Sequence, residues 1–199
     1  MEWHLSQGKV TPISPIGHKE VNFFPGQRGF SGPKFSVGGV MMVGNNFASL
    51  AGWLRYSANL DYHDTTTTWN RLNGLILPAT EVCLEEFWFT NFSLGVMDVD
   101  SETYTFPPKS RKDLKFKTVF EKFVVAMRPR LIVALGGDVA SYIKADYAGR
   151  QTDRAPDVRL CYGHPTVAML HPAAWHTPRE QFIAEGQRIR DLSRKYEAN

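Results

Sequence analysis

A chain of 199 residues, of which 43% are hydrophobic and 13% aromatic, has the material for one folded domain with a substantial core, and its net charge of +3 permits a nucleic-acid partner without requiring one. No apolar run approaches the ~20 residues of a membrane-spanning helix, and the first residues lack the pattern of a secretory signal, so we expect a cytoplasmic protein. Two cysteines, Cys83 and Cys161, are too few for a disulfide framework, a four-thiolate zinc site or an iron–sulfur cluster.

The first 37 residues are expected to be a loop-rich segment that leads into the core. The stretch FFPGQRGFSGPKFSVGG, at residues 23–39, has glycine or proline at seven of its seventeen positions. We expect residues 38–199 to form the core of a single domain.

Four short apolar runs predict strands buried on both faces. They are GGVMMVGN (38–45), EEFWFTNF (85–92), RPRLIVALGG (128–137) and PTVAMLHP (165–172). Apolar stripes at helical spacing lie between or after these runs, in residues 67–80, 113–127 and 182–196, and another helix is predicted from Asp138 to Gly149. The alternation predicts an α/β fold, a three-layer α/β/α sandwich with a central four-stranded parallel sheet.

Polar residues follow the predicted strands, at the sheet edge where ligands bind in such folds. Asn45 and Asn46 follow the first strand, Asn91 the second and His171 the last. A single asparagine or histidine at such a place is more often part of a turn. Together, two asparagine amides and an imidazole suit a planar base with donor and acceptor groups on its edge.

Other chemistries are weaker explanations of these residues. His164 and His171 flank a predicted strand and would lie roughly 23 Å apart, whereas zinc ligands lie within about 2.3 Å of the metal, so a shared zinc is disfavoured. The chain has no G-x-S-x-G turn for a serine nucleophile. Gly136 and Gly137 before a helix suit a phosphate or DNA-backbone contact, although a turn explains most such pairs.

The residues at the strand ends, and their order, resemble the uracil-DNA glycosylase superfamily. That family has an α/β/α fold and carries a G-x-[DN]-P motif after one strand, a uracil-reading asparagine after the next and a His-Pro-Ser loop after the last. This chain shows VGNNFAS, FTNFS and LHPAAWH at those places, and RPRLIVALGGDVA is similar to a further family segment. The resemblance covers roughly residues 38 to 190.

The resemblance implies a role for each matched residue. Asn46 would position the attacking water, as in the mismatch-specific and single-strand-selective branches, which have asparagine there. Asn91 would read the base, and His171 would stabilise the departing uracil anion. Gly44 opens the first motif and would line the base pocket.

Aromatic residues would hold the flipped base and enter the DNA. The family's stacking aromatic lies downstream of the first motif, where the candidates are Phe47, Trp53 and Tyr62. After the histidine the family inserts a wedge into the duplex, which implies Trp175 as the wedge and Arg179 as a phosphate contact, with Gly137 as a further DNA contact. The alternative for Trp175 is that its ring packs against the last helix.

Two residues depart from the family pattern. Phe47 stands where the first motif has proline, and Ala173 stands where the His-Pro-Ser loop has serine. The prediction is a monomeric DNA glycosylase that acts on uracil or a related deaminated base, without metal or cofactor, and is nucleoid-associated if bacterial. The alternatives are a noncatalytic DNA-binding protein of this fold and a hydrolase of free nucleosides or nucleotides.

Overall fold

The computed structural model describes residues 37–45, 67–92, 95–97, 114–143 and 158–197, together with the backbone of residues 10–12. Residues 95–97, 114–116 and 119 are described by their backbone alone. None of the helices in these ranges is both long and apolar enough to cross a membrane.

A mixed five-stranded sheet lies at the centre of the described chain. Its strands are β2 (Val40–Gly44), β3 (Phe87–Asn91), β5 (Leu131–Leu135), β6 (Arg159–Cys161) and β7 (His164–Met169), in the spatial order β3-β2-β5-β7-β6. The first four strands in that order pair in parallel, and β6 pairs antiparallel with β7. The predicted α/β class is confirmed, and each of the four apolar runs contains a strand.

The sheet has one strand more than the sequence predicts. Strand β6 has only three residues, and two of them, Arg159 and Leu160, are exposed, so it lacks the continuous apolar run of a strand buried on both faces. A separate antiparallel pair joins β1 (Val10–Pro12), which lies in the segment expected to be loop-rich, to β4 (Gly95–Met97).

The helices follow the predicted stripes with two differences. They are α1 (Thr67–Arg71), a π-helical segment (Leu72–Ile76), α2 (Leu77–Thr80), a 3₁₀ turn (Leu84–Glu86), α3 (Leu114–Met127), α4 (Gly137–Tyr142) and α5 (Arg179–Lys195). The predicted single helix over residues 67–80 is interrupted because Pro78 has no N–H to donate to the carbonyl four residues earlier. Helix α4 ends at Tyr142, before the predicted end at Gly149, and residues 144–149 lie outside the described chain.

Each face of the sheet is covered by its own apolar cluster. Met42 and its neighbours on one face pack against Trp69, Phe182 and Ile189 from α1 and α5. The opposite face belongs to a second cluster, which contains Phe120, Val124 and Val139 from α3 and α4. Because both faces of the strands are buried, polar side chains of the site have to emerge at the strand ends.

Helix α5 crosses the α1–α2 segment at close range. A Cβ added to Gly186 would lie 2.7 Å from Ala79 Cβ and would also overlap the backbone oxygen of Ile76. Only glycine permits this approach. The crossing fixes α5, which begins eight residues after His171, against the same segment that carries Arg71.

Candidate active site at the carboxyl edge of the sheet

The carboxyl ends of the four parallel strands place four of the predicted site residues along one edge: Gly44, Asn91, Gly137 and His171. Gly44 is the last residue of β2 and lies in register beside Asn91, the last residue of β3. Its carbonyl accepts the Phe92 N–H at 2.9 Å. His171 follows β7, which is separated from β3 by β2 and β5, so the ends of β3 and β7 lie about 14 Å apart at ~4.8 Å per strand.

Asn91 brings a buried amide to this edge, since the residue is only 2% exposed. Asn45, the residue after β2, brings another polar atom, although the sequence assigned no role to its side chain. Its side-chain oxygen Oδ1 is buried, and none of the described residues donates a hydrogen bond to it. A buried acceptor without a donor is energetically unfavourable unless a ligand or water supplies one.

The ring of His171 is held as a hydrogen-bond acceptor on one side. Ala173 N–H donates to His171 Nδ1 at 3.1 Å. A backbone N–H can only donate, so Nδ1 carries no proton in this arrangement, and a neutral ring bears its proton on Nε2. Burial lowers the pKa of His171, and the negative charge of Asp138 offsets part of that effect. The neutral ring with an Nε2–H donor is therefore the favoured form.

Two residues at the end of β5 define the surroundings of His171. Gly136 has a φ of +94°, and a Cβ added there would lie 3.1 Å from His171 Cβ, so the bare glycine makes room for the imidazole. Asp138, which was predicted only as a helix start, acts on the ring electrostatically. The Gly-Gly-Asp sequence after a strand is the signal that could have placed them here.

Arg71 binds the His171 loop, and sequence reasoning missed it. Its Nη1 donates to Pro172 O at 2.8 Å and to Ala174 O at 2.7 Å. The guanidinium also stacks on Phe182, with Cζ 4.8 Å from the ring centroid. The partners of Arg71 are more than a hundred residues away along the chain, so no local pattern could have revealed the contact.

Of the predicted DNA-contacting residues, Trp175 and Arg179 follow His171 in the chain, whereas Gly137 follows β5. Trp175 is 88% exposed, so the alternative in which its ring packs against the last helix is wrong. Arg179 is the first residue of α5 and is exposed. Gly137 is the first residue of α4 and is half-buried beside Gly136.

Four predicted site residues lie outside the described residues. They are Asn46, Phe47, Trp53 and Tyr62. Their predicted roles in water positioning and base stacking therefore stay predictions. Phe92, which follows Asn91 directly, belongs to the core: it is 6% exposed and stacks on Tyr142 at 5.1 Å between ring centroids.

The positions of the described histidines and cysteines bear on two other chemistries, metal binding and attack by a thiol. His164 begins β7 and His171 follows its other end. Within the described ranges, no three His, Cys, Asp or Glu side chains form a group that could hold a metal ion. Burial raises the pKa of Cys161 to about 11, which keeps its thiol protonated and a poor nucleophile.

Comparison with known proteins adds no relative to this picture. No model of a protein family matches the chain, and no curated protein matches it either.

Proposed function

We propose that this protein is a DNA glycosylase that hydrolyses the N-glycosidic bond of uracil or a related deaminated base. The observation that carries the proposal is the carboxyl edge itself, where buried Asn91 and the neutral, Nε2-protonated ring of His171 flank the ends of two further parallel strands. The proposal includes the three-layer α/β/α glycosylase fold. The parallel order of four strands and the helices on both sheet faces support it.

In the proposed reaction the bond between C1′ of the sugar and the base nitrogen breaks, and its electron pair leaves with the base. A water oxygen bonds to C1′, and the proton lost by that water ends on the released base. Negative charge grows on the base oxygens in the transition state, so a fixed Nε2–H donor from His171 binds them more strongly there than in the ground state. Asn46 would orient the water, and an amide is too weak a base to deprotonate it.

The backbone of the His171 loop shows what the departure at Ala173 changes and what it leaves intact. Ala173 lacks the hydroxyl of serine, but its N–H is the group that orients His171. A backbone donor is unaffected by the identity of the side chain. The substitution therefore leaves the proposed role of His171 in place and removes only a hydroxyl contact to the DNA backbone.

The exposed ring of Trp175 favours DNA over a free nucleoside as the substrate. A large apolar side chain that is 88% exposed, four residues beyond His171, suits insertion between bases and has no use in a pocket for a small molecule. Arg179 adds a positive charge on the same segment. The base would be flipped out of the helix to reach the strand ends.

The decisive experiment measures base release from single-stranded and duplex oligonucleotides that contain uracil, hypoxanthine, xanthine or a thymine mismatch. We expect the wild-type protein to release at least uracil. Asn46→Ala should lower the single-turnover rate about 100-fold because the water is no longer oriented. Asn91→Ala should lower release of uracil through lost recognition of the base. Binding of all four DNAs without release of any base would show a noncatalytic protein and overturn the proposal.

The DNA-contact assignment is tested with a charge-matched pair on helix α5. Arg179→Gln should weaken DNA binding and lower the slope of log K against log salt by about 1. Arg194→Gln makes the same charge change at the other end of the helix, where Arg194 binds Glu81 at 2.8 Å, and should leave that slope unchanged. Equal effects of the two variants, together with release of uracil from the free nucleoside, would identify a nucleoside hydrolase instead.

A further inference from the structure

The planar peptide group between Pro172 and Ala173 connects Arg71 to His171. Arg71 Nη1 donates to the carbonyl oxygen of this group, and the N–H of the same group donates to His171 Nδ1. In a planar trans peptide the C=O and N–H bonds point in opposite directions. A donor that fixes the direction of the carbonyl therefore also fixes the direction of the N–H.

We propose that Arg71 is a positioning residue that acts through this peptide group to keep His171 Nδ1 as an acceptor and its Nε2–H as the donor available to a substrate. The inference deepens the proposed glycosylase function and rests on it for its catalytic consequence. Its structural content, the protonation pattern of one ring, does not depend on any activity.

Three observations show that Arg71 is suited to this role. The same Nη1 also binds Ala174 O at 2.7 Å, so the cation holds two carbonyls of one short loop. Ala174 N–H donates to His171 O at 2.8 Å, which closes the turn around the peptide group. Phe182, which is 1% exposed, lies under the guanidinium and fixes its position. Hydrogen bonds from a cation are stronger than neutral ones, and they polarise the peptide so that its N–H becomes a better donor.

A lysine at this position would be an incomplete substitute. Its ammonium is compact, ends nearer the helix than Nη1 and has no planar face to stack on Phe182. It should therefore hold the carbonyls through fewer or longer bonds. Arginine, lysine and glutamine at residue 71 should therefore hold the Pro172 and Ala174 carbonyls with decreasing strength, in that order.

The test records two-bond ¹H–¹⁵N spectra of the histidine rings in the full-length protein, near pH 7.5, where a histidine with an ordinary pKa is mostly neutral. His171→Asn identifies the signals of residue 171. We expect the wild-type Nδ1 signal at the unprotonated end of its range. It should move toward the protonated end in Arg71→Gln, as the Nδ1–H form becomes populated, and by less in Arg71→Lys. Arg190→Gln, which removes a partly exposed arginine bound to Glu81, is the matched control and should leave the signal unmoved.

An Arg71→Gln protein that folds and keeps the wild-type ring signals would overturn the proposal. If Arg71→Gln does not fold, Arg71→Lys decides in the same way. In the base-release assay we expect kcat to fall about 10-fold in Arg71→Gln with KM nearly unchanged, because the donor is misplaced while binding contacts remain. A shifted ring signal in a protein that releases no base would uphold the role of Arg71 and contradict only the glycosylase function.

Discussion

The two ends of strand β7 each carry a histidine, and the surroundings of the two rings differ. His164 lies at the amino edge, and its Nδ1 is 2.8 Å from the carbonyl oxygen of Pro129. Because a carbonyl oxygen can only accept, Nδ1 carries a proton and donates it to this hydrogen bond. His171, at the carboxyl edge, has Nδ1 occupied by a backbone donor and keeps Nε2–H for another partner. The Nδ1 proton of His164 is thus used within the fold, whereas the Nε2–H of His171 is the donor that the proposed function assigns to the base.

Contacts next to the two histidines extend this contrast. At the amino edge Gly38 N–H donates to Met127 O at 2.9 Å, and the guanidinium of Arg130 binds Glu86 at 2.7 Å and Ser193 at 2.8 Å. At the carboxyl edge Asn45 Oδ1 is buried and receives no hydrogen bond from the described residues. The polar groups described at the amino edge are therefore paired within the fold, whereas the carboxyl edge has a buried acceptor that the described residues do not satisfy.

The largest expected effect is that of His171→Asn, compared with His164→Asn at the other end of the same strand. In both variants the asparagine amide can take the place of Nδ1, as an acceptor for Ala173 N–H or as a donor to Pro129 O. His171→Asn loses only the Nε2–H donor, so base release should slow by about 100- to 1,000-fold, the usual effect of removing one such donor. His164→Asn should keep the wild-type rate. Equal single-turnover rates in the two variants would contradict the assignment of a catalytic donor to His171 and a structural bond to His164.

A second variant tests the stabilising role of the amino edge. Arg130→Ala leaves the partly buried Glu86 carboxylate and Ser193 without their partner, so we expect a loss of about 2 kcal/mol of unfolding free energy. Activity per folded molecule should not change. Urea unfolding followed by circular dichroism measures the loss. The surface pair of Arg190, which is partly exposed, and Glu81 is the control, in which Arg190→Ala should have little effect. A stability equal to that of the wild type would show that this ion pair does not hold the edge.

Alanine variants at two glycines with positive φ distinguish the effect of backbone strain from the effect of displacing His171. Alanine at either Gly136 or Gly163 would adopt an unfavourable backbone conformation at a cost of about 1–2 kcal/mol. Only at Gly136 does the new Cβ meet His171, at 3.1 Å, whereas a Cβ at Gly163 meets nothing within 4 Å. We therefore expect similar losses of stability and a loss of base release in Gly136→Ala alone. Full activity of Gly136→Ala would mean that the packing against His171 is not needed.

The smallest expected effect is a change with pH in the free energy of unfolding, caused by protonation of His171. Because burial keeps the pKa of His171 below its ordinary value, the unfolded chain binds a proton at this residue more readily than the folded protein does. The contribution of His171 to stability is full above the unfolded-state pKa and is lost as the pH falls toward the folded-state pKa. Between about pH 7 and about pH 5, the wild type should lose more stability than His171→Asn. A steeper loss in the variant would contradict the assigned direction.

The sequence was informative about the parallel strands and the residues that follow them. Strands β2, β3, β5 and β7 are continuous apolar runs, and a residue directly after such a run has to lie at the edge, which placed Asn91 and His171. Strand β6 carries no such run, because two of its residues are exposed at the border of the sheet. The π-helical segment depends on how the helix accommodates Pro78, and the spacing of the apolar residues does not predict this.

The contacts around His171 could not be predicted because they join distant parts of the chain. Gly136 approaches the ring from the neighbouring strand end, and Arg71 reaches the loop from a helix on one face of the sheet. The Gly136 contact depends on the sheet order, which places β7 beside β5, and the Arg71 contact depends on how α1 packs on the sheet. A residue pattern can show which groups reach an edge, but it does not show which groups there touch.

The bonds of Arg71 also bear on the kinetics of folding. They join residues separated by 101 and 103 positions, so the loop cannot be locked until both halves of the chain have met. Contacts of such long range form slowly, because loop closure precedes the energetic gain. During refolding, helix signals should therefore recover before the His171 ring reaches its final environment. The His171 loop is therefore expected to reach its native geometry after the helices have formed, together with the other contacts that join the two halves of the chain, such as the bond between Arg190 and Glu81.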